Sequence, residues 1–573
     1  MEKAVTDNNN TTTLESLAQY PQQPHGGTLV NRVATGDELN RALDRAETLP
    51  KIMIDLEAAI TIEMIATGVL SPNDGFMNEE DYLSVLEKGR FANGLIWPTP
   101  LSFAPIGEVN ERVVASLQAG DEVALVDHAR EPVALLHIND IFAYDREHRA
   151  EKLFGTTDRH HPGVDAIYRR MGDKALGGQI TLLKRVDWGP FEQLRLTPAD
   201  TWKQFYEEKK FKTVAGFITG ANPMHRGHEH MHRNLLEEVD GLLAQPLVEM
   251  AKREYTRHEY RMLVYRSVLN QYYPKERTVL APLRVTYIFA GPRETILHAL
   301  VMKNYGCTHA IIGRDHAGIG DYYDKYASHT IFDEFPAEEL GIDIRLFHEV
   351  FYCVRCNTTA SAQACPHDES VQVKISGTGI REMLRHGILP PKEIVRPESA
   401  FIAMQGVQPK GRDEQGNAVL PVGKVIKSMF PFYLTHTRLG GPKREVPLNP
   451  DTLTNADLEA VILDVRTNGD LIYKQTYEEY ASAADINRNA SPTWVDQARA
   501  DMHAQQQMVV KDLELKAETA PALASDEYMY QDKAEATREL EVAKQILEEI
   551  PQGLSAEETR YRVWNIADYD HYR

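Results

Sequence analysis

Two textures of hydrophobic and polar positions divide the chain. From about His25 to Val186, short apolar runs such as DEVALVD (121–127) and PVALLHI (132–138) alternate with clusters of Pro, Asn, Asp and Gly. Runs of that length between turn formers predict strands, so this stretch reads as a β-rich domain with some helices, ending between Trp188 and Leu196. Beyond about Pro198, strand-like runs are followed by amphipathic stretches. TVAGFIT (213–219) precedes a helix expected from about Arg226, and THAIIG (308–313) precedes further turn and helix signals. Such alternation predicts a parallel α/β sheet that binds ligands at the carboxyl ends of its strands.

The resulting division is a flexible tail over 1–24, rich in Asn, Thr and Gln; a β-rich domain over 25–196; and an α/β catalytic domain over 197–345. A loop and the end of the catalytic region follow over 346–407, then an extension over 408–573. The extension opens on the polar segment QPKGRDEQGNAV and carries an acidic stretch rich in Ala, Glu, Leu and Lys from about Asp526 to Ile550, which predicts a mainly helical character.

Charge changes the picture. The 573 residues hold 63 Lys plus Arg against 84 Asp plus Glu, a net charge of -21. That balance argues against nucleic acid as a partner, which needs a basic footprint. A small anion or nucleotide would be repelled by the overall field, so a local cluster of cationic groups and backbone N–H groups must reverse the sign inside a pocket. The N-terminal segment lacks the apolar core of a signal peptide, and no window of about 18 apolar residues occurs. A cytoplasmic protein without membrane insertion is expected, with its four cysteines in a reducing compartment.

The most informative segment runs from Gly216 to His228. A strand enters small and turn-forming residues, Thr219, Gly220, Ala221 and Asn222, and Pro223 stops regular pairing. His225 and His228 then fall at the start of a helix. A spacing of three puts both imidazoles on one face of the first turn, beside unpaired N–H groups and the positive end of the helix dipole. That is an anion site. The same spacing also suits a structural pair or a metal pair.

A second segment, GRDHAGIGDYY, follows the strand HAII, so Gly313, Arg314, Asp315 and His316 lie at a strand's carboxyl end, where backbone can approach a nucleotide. Read alone, the Gly-Arg-Asp string is a turn with a surface ion pair more often than a site; the His225 turn upstream favours a shared pocket. Cys353, Cys356, Cys365 and His367 offer three thiolates and one imidazole, enough for a closed tetrahedral zinc site of structural type. The single residue between Cys365 and His367 is tight for two ligands of one ion, so buried free thiols remain the competing reading. Cys307 stands apart as a small core residue. Ser376-Gly377-Thr378 before Arg381 reads as a helix N-terminus with hydroxyl caps.

Asn222-Pro223-Met224-His225-Arg226-Gly227-His228 resembles the HxGH signature of nucleotidylyltransferases, and within that superfamily the chain is similar to the ATP sulfurylase (sulfate adenylyltransferase) family. PHGGTLVNR, LSPNDGFM, WPTPLSF, FAGPRETILHA, GRDHAGIGDYY and KISGTGIREML agree in order along most of residues 25–407. The resemblance implies a PUA-like N-terminal domain and a Rossmann-like nucleotidylyltransferase domain. It implies transfer of the adenylyl group of ATP to sulfate, giving adenylyl sulfate and pyrophosphate, or the reverse. His225, His228 and Asn222 take the catalytic roles; Thr219, Gly220, Ala221, Asn222, Gly313, Arg314, Asp315 and His316 face the nucleotide; the backbone of Ala317 meets sulfate. Mg²⁺ enters with ATP, bridging phosphates, and a homo-oligomer is expected. Some family members carry a similar cysteine cluster that binds a structural metal.

One departure stands out. The family has Gln-x-Arg-Asn before the Pro-x-His and holds sulfate with that Gln and Arg, whereas this chain has Thr219, Gly220, Ala221 and Asn222. A charge-assisted anion contact worth roughly 1.5–3 kcal/mol is gone. Three readings follow: another cation such as Arg226, Lys252, Arg284 or Arg293 takes over; the acceptor is a different oxyanion; or the chain is a regulatory nucleotide binder. Retention of both histidines favours catalysis. No Walker-type loop occurs after residue 407, which argues against a fused adenylyl sulfate kinase. The extension is left as a packing element, a subunit contact or a surface for a sulfur-metabolism partner.

Overall fold

A computed structural model of the chain describes residues 20–396, with interruptions at 128, 249–257, 286–287, 320–321, 376, 378–379, 382–383 and 385–387, and isolated positions beyond 396. Residues 1–19 of the expected tail, Lys252, Ser376, Thr378 and nearly all of the extension lie outside the described residues. Tyr20–Pro24, read as tail, are instead packed. The Tyr20 ring stacks on Tyr206 at 5.2 Å, and the buried Gln22 amide donates to the carbonyls of Cys307 (2.9 Å) and Gly341 (3.1 Å). A stacked ring and a satisfied amide override the polar composition of that segment.

The N-terminal sheet has five strands, β1 (Lys51–Met53), β2 (Gly75–Phe76), β3 (Glu122–Val126), β4 (Pro132–Ala143) and β5 (Lys174–Leu182), in the order β1-β3-β4-β5-β2. The apolar runs at 121–127 and 132–138 are β3 and the first part of β4. Around the sheet pack α1 (Gly36–Thr48), α2 (Leu56–Ala66), α3 (Glu79–Lys88), α4 (Glu108–Ala115), α5 (Arg146–Phe154) and α6 (Pro162–Arg170). This is more helix than the strand-like texture suggests, and local caps explain it. Asp55, Asn78 and Asp145 accept the N–H three residues on at the starts of α2, α3 and α5, and left-handed Gly89 and Gly155 end α3 and α5.

The second sheet contains β6 (Val214–Thr219), β7 (Gly241–Pro246), β8 (Thr278–Leu280), β9 (His309–Ile312) and β10 (Asp343–Leu346), in the order β10-β9-β6-β7-β8 and parallel throughout. Its helices are α7 (Pro198–Trp202), α8 (Arg226–Leu236), α9 (His258–Tyr272) and α10 (Pro292–Asn304). This is a Rossmann-like arrangement, and the chain changes direction of winding between β6 and β9, the position where such sheets open a crevice for ligands.

The central strands β6, β7 and β9 are buried on both faces, so their runs read as continuously apolar, whereas the edge strand β10 is partly exposed. Ala215, Phe217, Leu242 and Ala244 join the core with α8 and α9. Val214, Ile218, Leu243 and Ile312 face the other way and form one core with α10 and the N-terminal domain. A small antiparallel sheet follows, of β11 (Val350–Cys353), β12 (Thr358–Ser361) and β13 (Gln372–Lys374), with β11 central. Among the described residues no helix is long and apolar enough to cross a membrane.

Candidate active site and metal cluster

The carboxyl end of β6 delivers Thr219, Gly220, Ala221 and Asn222 into a tight turn. The Thr219 hydroxyl accepts the Ala221 N–H at 3.0 Å, the Tyr265 hydroxyl donates to the Ala221 carbonyl at 3.3 Å, and Asn222 is buried ahead of a cis peptide to Pro223. His225 follows with extended backbone as the N-cap of α8. The Arg226 N–H donates to the Ile394 carbonyl at 2.8 Å, which fixes the helix start.

His225 and His228 meet as the spacing predicts. Their ring centroids are 3.8 Å apart with planes 33° from parallel. The His225 N–H donates to Nδ1 of His228 at 3.3 Å, so the His228 proton resides on Nε2 and that atom is a donor. Nδ1 of His225 is buried, and no described residue gives it a hydrogen bond. Burial holds the His225 pKa well below its ordinary value, with His228 and Arg381 adding to the effect. Burial alone takes His228 down to about 3. Both rings are therefore neutral at pH 7 and act as hydrogen-bond donors, with fixed positive potential supplied by the helix terminus.

The close approach depends on Gly227. A Cβ there would lie 3.0 Å from Cγ2 of Val350 and 3.1 Å from the His225 ring, so β11 packs directly against the histidine turn.

Beside it, β9 delivers the second segment. Gly216 pairs with Ala310, so the carboxyl ends of β6 and β9 are neighbours across the point where winding reverses. Arg314 and Asp315 are exposed, whereas His316 and Ala317 turn inward. Asp315 and Ala317 have φ of 51° and 57°. The His316 carbonyl accepts from the Thr295 hydroxyl (3.2 Å) and the Ser328 hydroxyl (2.8 Å), and its Nε2 shares a 2.8 Å hydrogen bond with Nδ1 of His298. Arg314 approaches Glu349 at 3.7 Å.

Arg381, which the sequence marks only as following a capped helix start, is buried, places Nη1 3.5 Å from the Asn222 carbonyl and adds positive potential at His225. Its signal was the KISGTGIREML string. Of the cations considered for the acceptor, three are engaged elsewhere. Arg226 donates to the Lys392 carbonyl (3.1 Å) and pairs with Glu229 (3.6 Å), Arg284 donates to the Asp187 carbonyl, and Arg293 reaches the Leu86 (2.9 Å) and Lys152 (3.3 Å) carbonyls.

The cysteine cluster closes on one point. Nδ1 of His367 lies 3.5, 3.2 and 3.5 Å from the sulfurs of Cys353, Cys356 and Cys365, and the Cys356 and Cys365 sulfurs are 3.8 Å apart. A tetrahedron with zinc–sulfur and zinc–nitrogen bonds of about 2.3 and 2.0 Å has edges of roughly 3.8 Å and 3.6 Å. The four ligand atoms lie within 4.8 Å of one another. The tight Cys365-x-His367 spacing thus works through Nδ1, the ring nitrogen nearer the backbone.

Comparison with known proteins agrees along the chain. A family model described as ATP-sulfurylase matches residues 192–405, and one described as a PUA-like domain matches 22–185. A sulfate adenylyltransferase of Halothermothrix orenii is 42% identical over 387 residues, 67% of this chain and 99% of that protein. One from Symbiobacterium thermophilum is 43% identical over 391 residues, 68% of this chain and 98% of that protein. Among solved structures, a hexameric APS kinase from Thiobacillus denitrificans superposes with a TM-score of 0.53 at 21% identity, covering 68% of this chain and 69% of that one, a likeness of fold alone.

Proposed function

The chain belongs to the ATP sulfurylase family, and from that premise we infer that it transfers the adenylyl group of ATP to sulfate, giving adenylyl sulfate and pyrophosphate, or runs the same reaction backwards to make ATP. The observation that carries the chemistry is the neutral, closely paired His225 and His228 at the N-terminus of α8, at the winding reversal of the parallel sheet.

Attack of a sulfate oxygen on the α-phosphorus moves charge onto the oxygen bridging to the leaving pyrophosphate. Donors already in place there stabilise the transition state without reorganising. In this reading Nε2–H of His228 and the ring of His225 supply those donors, and Asn222 and Arg381 shape the turn. Gly313, Arg314, Asp315 and His316 hold the nucleotide, and the Ala317 backbone faces the acceptor. Mg²⁺ accompanies ATP, bound chiefly by its phosphates. Cys353, Cys356, Cys365 and His367 would hold a structural Zn²⁺, for which the donor set and edge lengths fit. The reaction is assigned to the cytoplasm.

Pyrophosphate release from ATP is to be measured with sulfate and a panel of oxyanions, alongside ATP formation from adenylyl sulfate and pyrophosphate. Turnover with sulfate that disappears in His225→Ala supports the reading, and turnover with another oxyanion but not sulfate replaces the acceptor. No turnover in either direction sinks it.

A further inference from the structure

With the family's sulfate-holding Gln and Arg replaced by Thr219 and Ala221, the acceptor needs another polar contact. We propose that Gln245 supplies it, so that the amide which touches the oxyanion has moved from β6 to the neighbouring strand β7; this rests on the adenylyl-transfer reading above.

Gln245 is a single polar residue in the apolar run Leu242–Val248, and its side chain is 0% exposed. Neither Nε2 nor Oε1 finds a hydrogen-bond partner among the described residues. A primary amide buried in that way is costly unless something else satisfies it. Simple packing would have been served better by another leucine.

Its place in the sheet points to the occupant. Gln245 pairs with Ile218, the residue before Thr219, near the carboxyl end of β7. Gly216 pairs with Ala310, so continuing that register sets Gln245, Ile218 and Ile312 in one row across β7, β6 and β9. Side chains alternate along a strand, so Gln245 shares the face of Leu243 and Leu247, which is the α10 face. The segment carrying Ala317 lies on that face too, because Thr295 and His298 of α10 hold the carbonyl and ring of His316. Gln245 and the segment carrying Ala317 therefore lie on the same face of the sheet, one strand to either side of β6. An amide N–H suits an oxyanion oxygen, and a buried water is the competing occupant.

The test is Gln245→Met, close in shape but unable to hydrogen-bond, together with Gln245→Glu, which opposes an anion. Expected for Gln245→Met are a KM for sulfate raised about 10-fold or more, the size of one hydrogen bond to an ion, a KM for ATP within about twofold, and a Tm no lower than the parent's, since an unmet amide has been removed. Gln245→Glu loses saturation by sulfate. An unchanged sulfate KM in Gln245→Met overturns the proposal and leaves the amide to a buried water. If the parent protein turns over in neither direction, the adenylyl-transfer reading fails separately, and Gln245 is judged by the rise in Tm that sulfate produces beside a non-hydrolysable ATP analogue. A rise in the parent that is lost in Gln245→Met upholds it; no rise, or an equal rise in both, overturns it.

Discussion

The ring of His225 lies 3.8 Å from that of His228, and the His225 N–H donates to the Nδ1 of His228. The two rings are therefore one packed unit: removing either takes away the other's stacking partner, although the backbone N–H bond to His228 survives in His225→Ala. His225→Ala and His228→Ala should each lower kcat by about 10² to 10³, as loss of a preorganised donor does. The double variant should fall at most about tenfold further, because groups acting as a unit are not additive. Losses that multiply in full would show that the rings act independently.

Five buried histidines set the acid limit of the fold. Burial lowers His25 and His161 to about 4, His232 to about 3, His316 to about 4, and His298 well below its ordinary value. Each folded pKa is below the unfolded value near 6.5, so unfolding takes up protons once the pH falls below 6.5. Their stabilising contribution is complete above that pH and is lost as pH falls toward 4, by up to about 1.4 kcal/mol per pH unit for each group. Glu294, raised by burial to about 8 against its N–H partners, works oppositely between 4.5 and 8, but it is one group against five. Thermal melts from pH 7.5 to 5 should show a steep fall in Tm below pH 6.5. A flat profile would contradict neutral burial of these rings.

The helix that carries the histidines is anchored by a buried carboxylate. Arg396 donates to Glu229 at 2.8 and 2.7 Å, and its guanidinium lies 3.2 Å over the ring of Tyr272. Arg226 and Arg233 approach the same carboxylate at 3.6 and 3.9 Å. Arg396→Ala leaves Glu229 with weaker, more exposed partners, so unfolding in urea should show a loss of about 2–4 kcal/mol, toward the lower end for a broken buried pair. Restored stability in Arg396→Ala with Glu229→Gln would confirm the uncompensated charge as the cause; a loss below 0.5 kcal/mol in the single variant would refute it.

Much of this site could be read before the fold was known, and the reason is local. TVAGFIT and HAII are runs rich in β-branched residues, each closed by a glycine, Gly220 and Gly313, and the His225-x-x-His228 spacing needs only one helical turn. What escaped reading depends on distance along the chain. Arg381 meets Asn222 across 159 residues and Arg396 meets Glu229 across 167, and no periodicity announces either. Gln245 gives no signal in the sequence, because sequence alone does not tell whether a buried amide is satisfied. The helices of the N-terminal domain were under-read because their caps, Asp55, Asn78 and Asp145, also serve as turn formers.

Arg226 was the natural candidate to replace the lost arginine, being next to His225. Its hydrogen bond to the Lys392 carbonyl and its pairing with Glu229 direct it along the outside of α8 instead. Arg226→Ala should leave the KM for sulfate within about twofold, the small change expected of a side chain that holds no acceptor contact. A tenfold rise in steady-state sulfate KM would return this arginine to the acceptor site.

The metal cluster is predicted to stabilise the fold and to act on the reaction only through what its sheet touches. Cys353 ends β11, whose first residue, Val350, packs against the position of Gly227, and the preceding Glu349 faces Arg314. The cysteine cluster and the turns carrying His225 and Arg314 are thus joined by the five residues 349–353. Purified protein should hold about one zinc per chain. A ligand bound at a thousandfold excess over its Kd adds about 4 kcal/mol, so chelation should lower Tm by roughly 5 °C in a fold of this size. His367→Ala should lower zinc content, because its Nδ1 completes the tetrahedron, whereas Cys307→Ser should leave it unchanged, since Cys307 is buried against Gly216 in the core of the parallel sheet. Below the new melting temperature the metal-free protein should keep its chemical step while the KM for ATP rises, because none of the four candidate ligands belongs to the histidine turn, while Glu349, next to β11, pairs with Arg314. Immediate loss of kcat on chelation, with Tm unchanged, would instead place the metal in the chemistry.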